Sequence, residues 1–296
     1  MADRGPDFLY IGTSKAGSTW LFNVLSLHDD VYLASNKGLY YFDGHFDKGE
    51  EWYLSHFDGA RPGQVKGEIS HSYLSSAEVP ARIAAVNPRM LLLTSLREPV
   101  DRAFSDYLDL IKNQQFDGSF EAAIERFPRL LDRGRYATHL ERYLEIFPPE
   151  QLHLSLFDDL KADSQGCADS AFTFLGVDPL TLPPAALTSR MPAGKPRSPQ
   201  AASAAKAAAR MMGRLGLRRV RSRVKRSARV RNALYRPYGS DKPTIDPAMA
   251  AELRRDFAAE VVSLDRLLPG VASRWGYAGA SGPSAVPGPA VDEPAG

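Results

Sequence analysis

Apolar positions along the chain follow two periods. Phe8–Ile11 is a short unbroken apolar run stopped by Gly12, the form of a strand buried on both faces. From Ser18 onward Trp20, Leu21, Val24, Leu25 and Leu27 fall at helical spacing. Further strand-like runs lie at Val31–Ala34, at Val65–Leu74, where the strand runs into a turn, at Met90–Leu96 and at Leu152–Phe157, and Met90–Leu96 is continuously apolar, as an interior parallel strand is. Helical patterns fill the intervals: Val79–Val86 with proline in its first turn, Val100–Asn113, Phe120–Phe127, Tyr136–Phe147 ended by Pro148-Pro149, and Ser164–Leu175 stopped at Gly176. Trp52–Phe57 predicts a short helix and Asn36–Asp43 an aromatic-rich loop. Strands alternating with helices from residue 8 to 176 predict the α/β class, a three-layer fold with a central parallel sheet flanked by helices.

Beyond that stretch the pattern changes. Thr188–Pro199 is rich in proline and basic residues and predicts a loop; Ala201–Leu234 has helix-forming composition, with Met212, Val220, Val224 and Ala228 at four- or eight-residue intervals. Asp246–Leu268 reads as a helix started by Pro247, and the Pro-, Gly-, Ala- and Ser-rich tail from Gly276 reads as disordered. The expected organisation is one domain over residues 1–275 with a basic helical lid or insertion at about 188–240, followed by a disordered tail at 276–296.

Composition narrows the class. At 44% hydrophobic and 24% charged the chain is globular. A single cysteine, Cys167, excludes an intramolecular disulfide framework, points to a reducing compartment, and reads as a buried structural thiol. No run approaches a membrane span, and no basic region followed by an apolar stretch opens the chain, so a cytoplasmic location is expected. The net charge of +2 hides an asymmetry: Pro179–Ser240 holds 15 Lys and Arg with no Asp or Glu, leaving 22 basic against 35 acidic residues elsewhere. That segment suits a solvated helical face or lid, or peripheral contact with an anionic membrane through the helix Lys206–Arg231, whose charges lie beside Met211, Met212, Leu215 and Leu217. Its lack of interleaved aromatics argues against nucleic acid.

Two stretches carry chemistry. Gly12-Thr-Ser-Lys-Ala-Gly-Ser-Thr19 joins a strand to a helix N-terminus through small residues, which makes an anion site from unpaired amides and the helix dipole. Its glycine spacing is that of a P-loop, but the lysine precedes the second glycine. The bland alternative is a tight turn with Ser18 or Thr19 capping the helix. The second stretch, Leu91–Tyr107, places Arg97 just past the carboxyl end of the strongest strand and Ser105 eight residues later, a guanidinium and a hydroxyl suited to a second phosphate. In isolation Arg97 reads equally as a surface salt bridge, and Arg102 with Asp106 as a structural i, i+4 pair.

Together these stretches resemble the phosphosulfate-binding loop and the 3′-phosphate-binding strand and helix of sulfotransferases that use 3′-phosphoadenosine 5′-phosphosulfate. The similarity is to the heparan-sulfate type: Tyr41-Phe42-Asp-Gly-His45, Lys48-Gly-Glu-Glu-Trp-Tyr53, Gly67-Glu68 through Tyr73, Gly134-Arg-Tyr136 and Phe147-Pro-Pro-Glu-Gln-Leu-His-Leu154 follow the family's order. It runs from about residue 8 to 178, resumes around Lys195-Pro-Arg197, and is weak from Tyr235 to Trp275. The resemblance implies a P-loop-like sulfotransferase fold, transfer without a metal, and a soluble bacterial-like form. It implies that Ser14, Lys15, Ala16, Gly17, Ser18 and Thr19 hold the 5′-phosphosulfate, with Lys15 near the bridging oxygen. Arg97 and Ser105 would hold the 3′-phosphate, Tyr136 would line the adenosine site, and Lys195 and Arg197 would sit on a loop over the cofactor.

The expected reaction moves a sulfuryl group to a hydroxyl, or an amine, of a carbohydrate, glycolipid or small metabolite. A base must take the acceptor proton. The heparan-sulfate type uses a glutamate at the position where this chain has Gly38, in Lys37-Gly38-Leu39-Tyr40-Tyr41-Phe42. His71 is the first substitute, since Ile69-Ser70-His71 resembles the Lys-Thr-His segment of cytosolic sulfotransferases, and Glu68 is either the base or the group that orients it. Two rival readings stand beside this one. One is a P-loop kinase or NTPase, which the lysine position and the Arg97 ending of Met90–Leu96 disfavour. The other is a non-catalytic anionic-surface module built on the basic segment.

Overall fold

The apolar runs form one five-stranded parallel sheet in the order β2-β3-β1-β4-β5, from β1 (Phe8–Gly12), β2 (Val31–Leu33), β3 (Val65–Ile69), β4 (Leu91–Leu96) and β5 (Leu152–Leu156). The computed structural model describes residues 4–34, 36–187, 194–198, 235–238 and 243–277, with scattered positions between 200 and 233. In the middle of the sheet, β1 is buried at every position; Phe8 and Tyr10 enter one core, Leu9 and Ile11 the other. Burying a side chain of this size contributes about 1.5–3 kcal/mol, so a slip of one residue in β1 would disrupt both cores at once.

Helices cover both faces. On one side α1 (Ser18–Leu25) and, later in the chain, α10 (Ser164–Phe174) bury Leu21, Phe22, Val24, Leu25, Ala168, Ala171 and Phe172 against Phe8, Tyr10 and Leu93. The other face carries the larger core, contributed by α2 (Tyr41–Gly44), α3 (Glu50–Leu54), α4 (Val79–Val86), α5 (Pro99–Lys112), α6 (Phe120–Arg126), α7 (Arg129–Asp132) and α8 (Tyr136–Leu144). Short helices α9 (Phe157–Ala162) and α11 (Pro184–Leu187) flank α10, and α12 (Pro247–Leu264) with α13 (Val271–Arg274) returns the chain to the larger core. This is the three-layer α/β fold expected from the alternation of periods.

The strand order positions the site. From β1 the chain runs to β2 and β3 on one side, then crosses to β4 on the other, so the connections leaving β1 and β4 part at their carboxyl ends and open a crevice. The loop after β1 is pinned to β4: Thr13 donates its amide to the Ser95 carbonyl at 3.0 Å, and the Thr94 hydroxyl donates to the Gly12 carbonyl at 2.6 Å. Pro99 starts α5, and the Glu98 carboxylate caps it by accepting from the Asp101 amide at 2.6 Å. The same carboxylate accepts from the Tyr277 hydroxyl at 2.7 Å and lies 3.6 Å from Arg254 Nε, while Trp275 Nε1 donates to Asp158 at 3.0 Å.

Two local expectations change. Residues expected as an aromatic loop contain α2, because Tyr40 turns the chain in the left-handed region (φ 52°) and Tyr41 and Phe42 then bury, Tyr41 stacking on Tyr53 at 4.3 Å. As expected, the strand from Val65 runs into a turn: it ends at Ile69, and Tyr73–Ser75 forms a single 3-10 turn. Within the stretch predicted as a loop, β6 (Gly194–Pro196) pairs antiparallel with β7 (Tyr235–Pro237) and packs by α5; its partner is too distant in sequence for a local pattern to show. Most of the expected basic helix, Ala201–Leu234, and the tail from residue 278 lie outside the described residues.

Candidate active site

At the carboxyl edge of β1, β3 and β4 lies a cleft of about 420 Å³. Its floor is the loop after β1. Ser14, Lys15, Gly17, Ser18 and Thr19 line it, and Arg97 and Ser105 line it from β4 and α5, so two stretches about eighty residues apart meet in one cavity. His71, from the end of β3, lines the same cleft. Ala16 is fully buried below.

Several features of the loop mark it for an anion. Gly17 precedes α1 at φ 99°, no side chain caps the helix, and the residues of its first turn line the cleft, so their amides are available to a ligand. A Cβ at Gly17 would lie 2.6 Å from Leu160 Cδ2. Lys15 itself is left-handed, φ 68°, a conformation that costs a non-glycine residue about 1–3 kcal/mol and so marks a site held by its surroundings. The Ser14 hydroxyl is buried without a hydrogen-bond partner. Lys15 Nζ reaches across to Asp109 of α5 at 3.2 Å, and the Arg97 guanidinium lies over the Phe157 ring at 5.1 Å, 3.9 Å from Asp101.

On the β3 side, His71 Nε2 shares a 2.7 Å hydrogen bond with the Tyr40 hydroxyl, and Nδ1 is buried without a partner. Burial pulls the imidazole down to about 4, helped by Lys37 and Arg133. It is therefore neutral at physiological pH, the form a base must start from, while the same burial disfavours its protonated form. Burial likewise pushes the Tyr40 phenol up to about 12. Gly38 explains the arrangement: at φ 78°, a Cβ there would lie 2.6–3.0 Å from the Tyr40 ring, so Tyr40 fills the space a side chain at 38 would need.

Glu68 does not line the cleft. It is 1% exposed and accepts from the Tyr53 hydroxyl at 2.7 Å, the Tyr73 hydroxyl at 2.8 Å and the Ser70 hydroxyl. Burial raises its pKa against those three donors. Ser70 Oγ in turn accepts the Tyr40 amide at 3.1 Å, so the carboxylate ties the segment carrying Tyr40 to the turn carrying His71. Tyr136, expected at the adenosine site, is also fully buried; its hydroxyl donates to the Arg97 carbonyl at 2.7 Å and holds the backbone from which that guanidinium extends. Arg197 is exposed, and of Lys195 only the backbone, in β6, is among the described features. Cys167 borders a small void under the loop; burial pushes its thiol up to about 11, which leaves it inert.

The description of a sulfotransferase domain matches residues 5–260. This chain belongs to that family. It is 32% identical over 181 residues, covering 58% of this chain and 46% of the relative, to human (Homo sapiens) heparan sulfate glucosamine 3-O-sulfotransferase 3B1. It is 31% identical over 182 residues, 59% of this chain and 53% of the relative, to human heparan sulfate glucosamine 3-O-sulfotransferase 6. The chain thus spans about half the length of these curated relatives. A sulfotransferase from Alicyclobacillus acidocaldarius shares the fold, with a TM-score of 0.67 and 23% identity over 92% of this chain and 98% of that one.

The sulfotransferase cleft also contains residues that the sequence did not single out: Lys37, Asp109, Lys112, Phe157, Leu160 and Lys161. Lys37 had one legible signal, since it follows β2 at the same sheet edge as the Lys15 loop. Phe157 and Leu160 had none, because a helix starting directly at the end of β5 breaks no pattern.

Proposed function

We propose that this sulfotransferase domain, expected to span residues 1–275 with a basic lid at about 188–240, transfers the sulfuryl group of 3′-phosphoadenosine 5′-phosphosulfate to an acceptor hydroxyl. The observation carrying this reading is the union of the Lys15 loop, Arg97, Ser105 and His71 in one cleft. Lys15, Ser14, the amides of Gly17 to Thr19, and the Ser18 and Thr19 hydroxyls would hold the 5′-phosphosulfate. Arg97 and Ser105 would hold the 3′-phosphate, and Lys195 and Arg197 would close over the nucleotide. The buried Ser14 hydroxyl without a partner and the uncapped helix fit such a ligand. In the transfer, the acceptor oxygen forms a bond to sulfur as the bond from sulfur to the bridging phosphate oxygen breaks. The acceptor proton passes to the Tyr40–His71 pair, and the leaving bisphosphate keeps the electron pair. Lys15 stabilises charge on that leaving oxygen; sulfuryl transfer, like phosphoryl transfer, is mainly positioning and charge stabilisation. Glu68 acts as a positioning residue through Ser70 and Tyr40.

The names of the relatives favour a carbohydrate hydroxyl as the acceptor, with a glycolipid or small metabolite as further members of the class. No helix among the described residues is long and apolar enough to cross a membrane. The cytoplasmic location is part of this proposal and is checked by fractionation; contact with an anionic membrane through the basic segment is checked by liposome co-sedimentation. A panel of oligosaccharide, glycolipid and small hydroxylated acceptors, assayed with sulfate-labelled donor, tests the activity. Transfer lowered by about 10²–10³-fold in Lys15→Ala is the expected result. Tight binding of ATP with Mg²⁺ and none of adenosine 3′,5′-bisphosphate would overturn the reading in favour of a phosphotransferase.

A further inference from the structure

Lys37 has no role in the site as read so far, yet its surroundings are unusual for a lysine. Its ammonium donates to the Ser18 hydroxyl at 3.1 Å and the Thr19 hydroxyl at 2.6 Å, the first two residues of α1, and lines the cleft with Lys15. Among the described residues no carboxylate is bonded to it, whereas Lys15 has Asp109. Two hydroxyl dipoles offset only part of the cost of taking an ammonium out of water. A half-buried cation beside a second cation, aimed at a helix N-terminus, is stabilised by an anion placed between them.

We propose that Lys37 is a further donor-binding residue, whose ammonium shares the 5′-phosphosulfate with Lys15 and stabilises the charge that develops there during transfer. This rests on the sulfotransferase reading of the cleft. Burial and the neighbouring Lys15 charge hold the free ammonium down to about 8, so a bound anion, by favouring the charged form, makes binding take up protons near that pH. The other charged or titratable groups lining the cleft are His71, Arg97, Asp106, Asp109, Lys112 and Lys161. Of these, His71 titrates about four units lower, which separates its contribution.

The test is calorimetry of adenosine 3′,5′-bisphosphate at pH 7–9 in two buffers of different ionisation enthalpy, with wild type, Lys37→Met and Lys37→Arg. Wild type is expected to take up protons around pH 8. Lys37→Met is expected to bind at least about tenfold more weakly without that uptake, as loss of a charge-assisted hydrogen bond implies, and to lose about 10²-fold in kcat/KM. Lys37→Arg is expected to recover affinity but not the proton uptake, and this holds the comparison if the methionine variant does not fold. Equal affinity in Lys37→Met, or uptake persisting in either variant, overturns the role of Lys37 while leaving the cleft a nucleotide site. Absence of any binding by wild type overturns the reading of the cleft and this inference with it.

Discussion

The loop leaving β1 and the turn leaving β3 sit side by side on one sheet edge, yet they are built on different principles. The β1 loop is a local device: small residues, a lysine and a helix N-terminus within eight positions line the cleft from contiguous chain, in a form suited to an anion. The β3 side is assembled from distant pieces. His71 gains its partner from Tyr40, Tyr40 occupies the space left by Gly38, and Glu68 anchors both through Ser70. Binding charge is a task for a motif. Handling a proton is a task for a network, because it depends on what surrounds the imidazole rather than on the imidazole alone.

Substitutions separate the two. The largest effect is expected on the loop: Lys15→Ala lowers kcat/KM by about 10²–10³-fold, the cost of removing a preorganised charge at the leaving oxygen, measured by steady-state transfer of labelled sulfate. His71→Ala comes next and lowers the rate by about 10²-fold, the low end of the range for general-base catalysis; retention of more than about a tenth of the wild-type rate would remove it as the base. The pH profile sharpens the contrast. The base works unprotonated and the Lys37 ammonium protonated, so kcat/KM of the free enzyme is expected to fall below about pH 4 and above about pH 8. Tyr40→Phe keeps the ring over Gly38 but removes the hydroxyl on Nε2, and is expected to lower kcat by about 3–10-fold with KM unchanged, the worth of one neutral hydrogen bond. The smallest effect is a gain: Asp109→Asn frees Lys15 from a partly exposed ion pair and tightens bisphosphate binding by up to about fivefold. No change would mean that Lys15 is directed to the ligand without hindrance.

The same contrast explains what was legible in the sequence. The sheet, the Lys15 loop and the Arg97–Ser105 edge follow from periodicity and local spacing, and each lies where its pattern placed it. Tyr136 was expected to line the adenosine site, but it is buried beneath the cleft; only the folded chain shows its hydroxyl under the Arg97 carbonyl. Glu68 could be seen beside His71 in the sequence; that its carboxylate turns inward to three hydroxyls depends on Tyr53 and Tyr73 from the larger core. Lys37 was passed over because what sets it apart, the lack of a bonded carboxylate among the described residues, is not something spacing reveals.

Glu98 adds an order in time. It caps the helix that follows Arg97, and its remaining oxygen is taken by Tyr277 and approached by Arg254, both near the end of the described chain. During synthesis the Lys15 loop, Arg97 and His71 all leave the ribosome long before residue 277 does. The edge beyond β4 therefore gains its Glu98–Tyr277 contact only once residue 277 has been made, and a nascent chain halted just before that point carries the cleft residues without it.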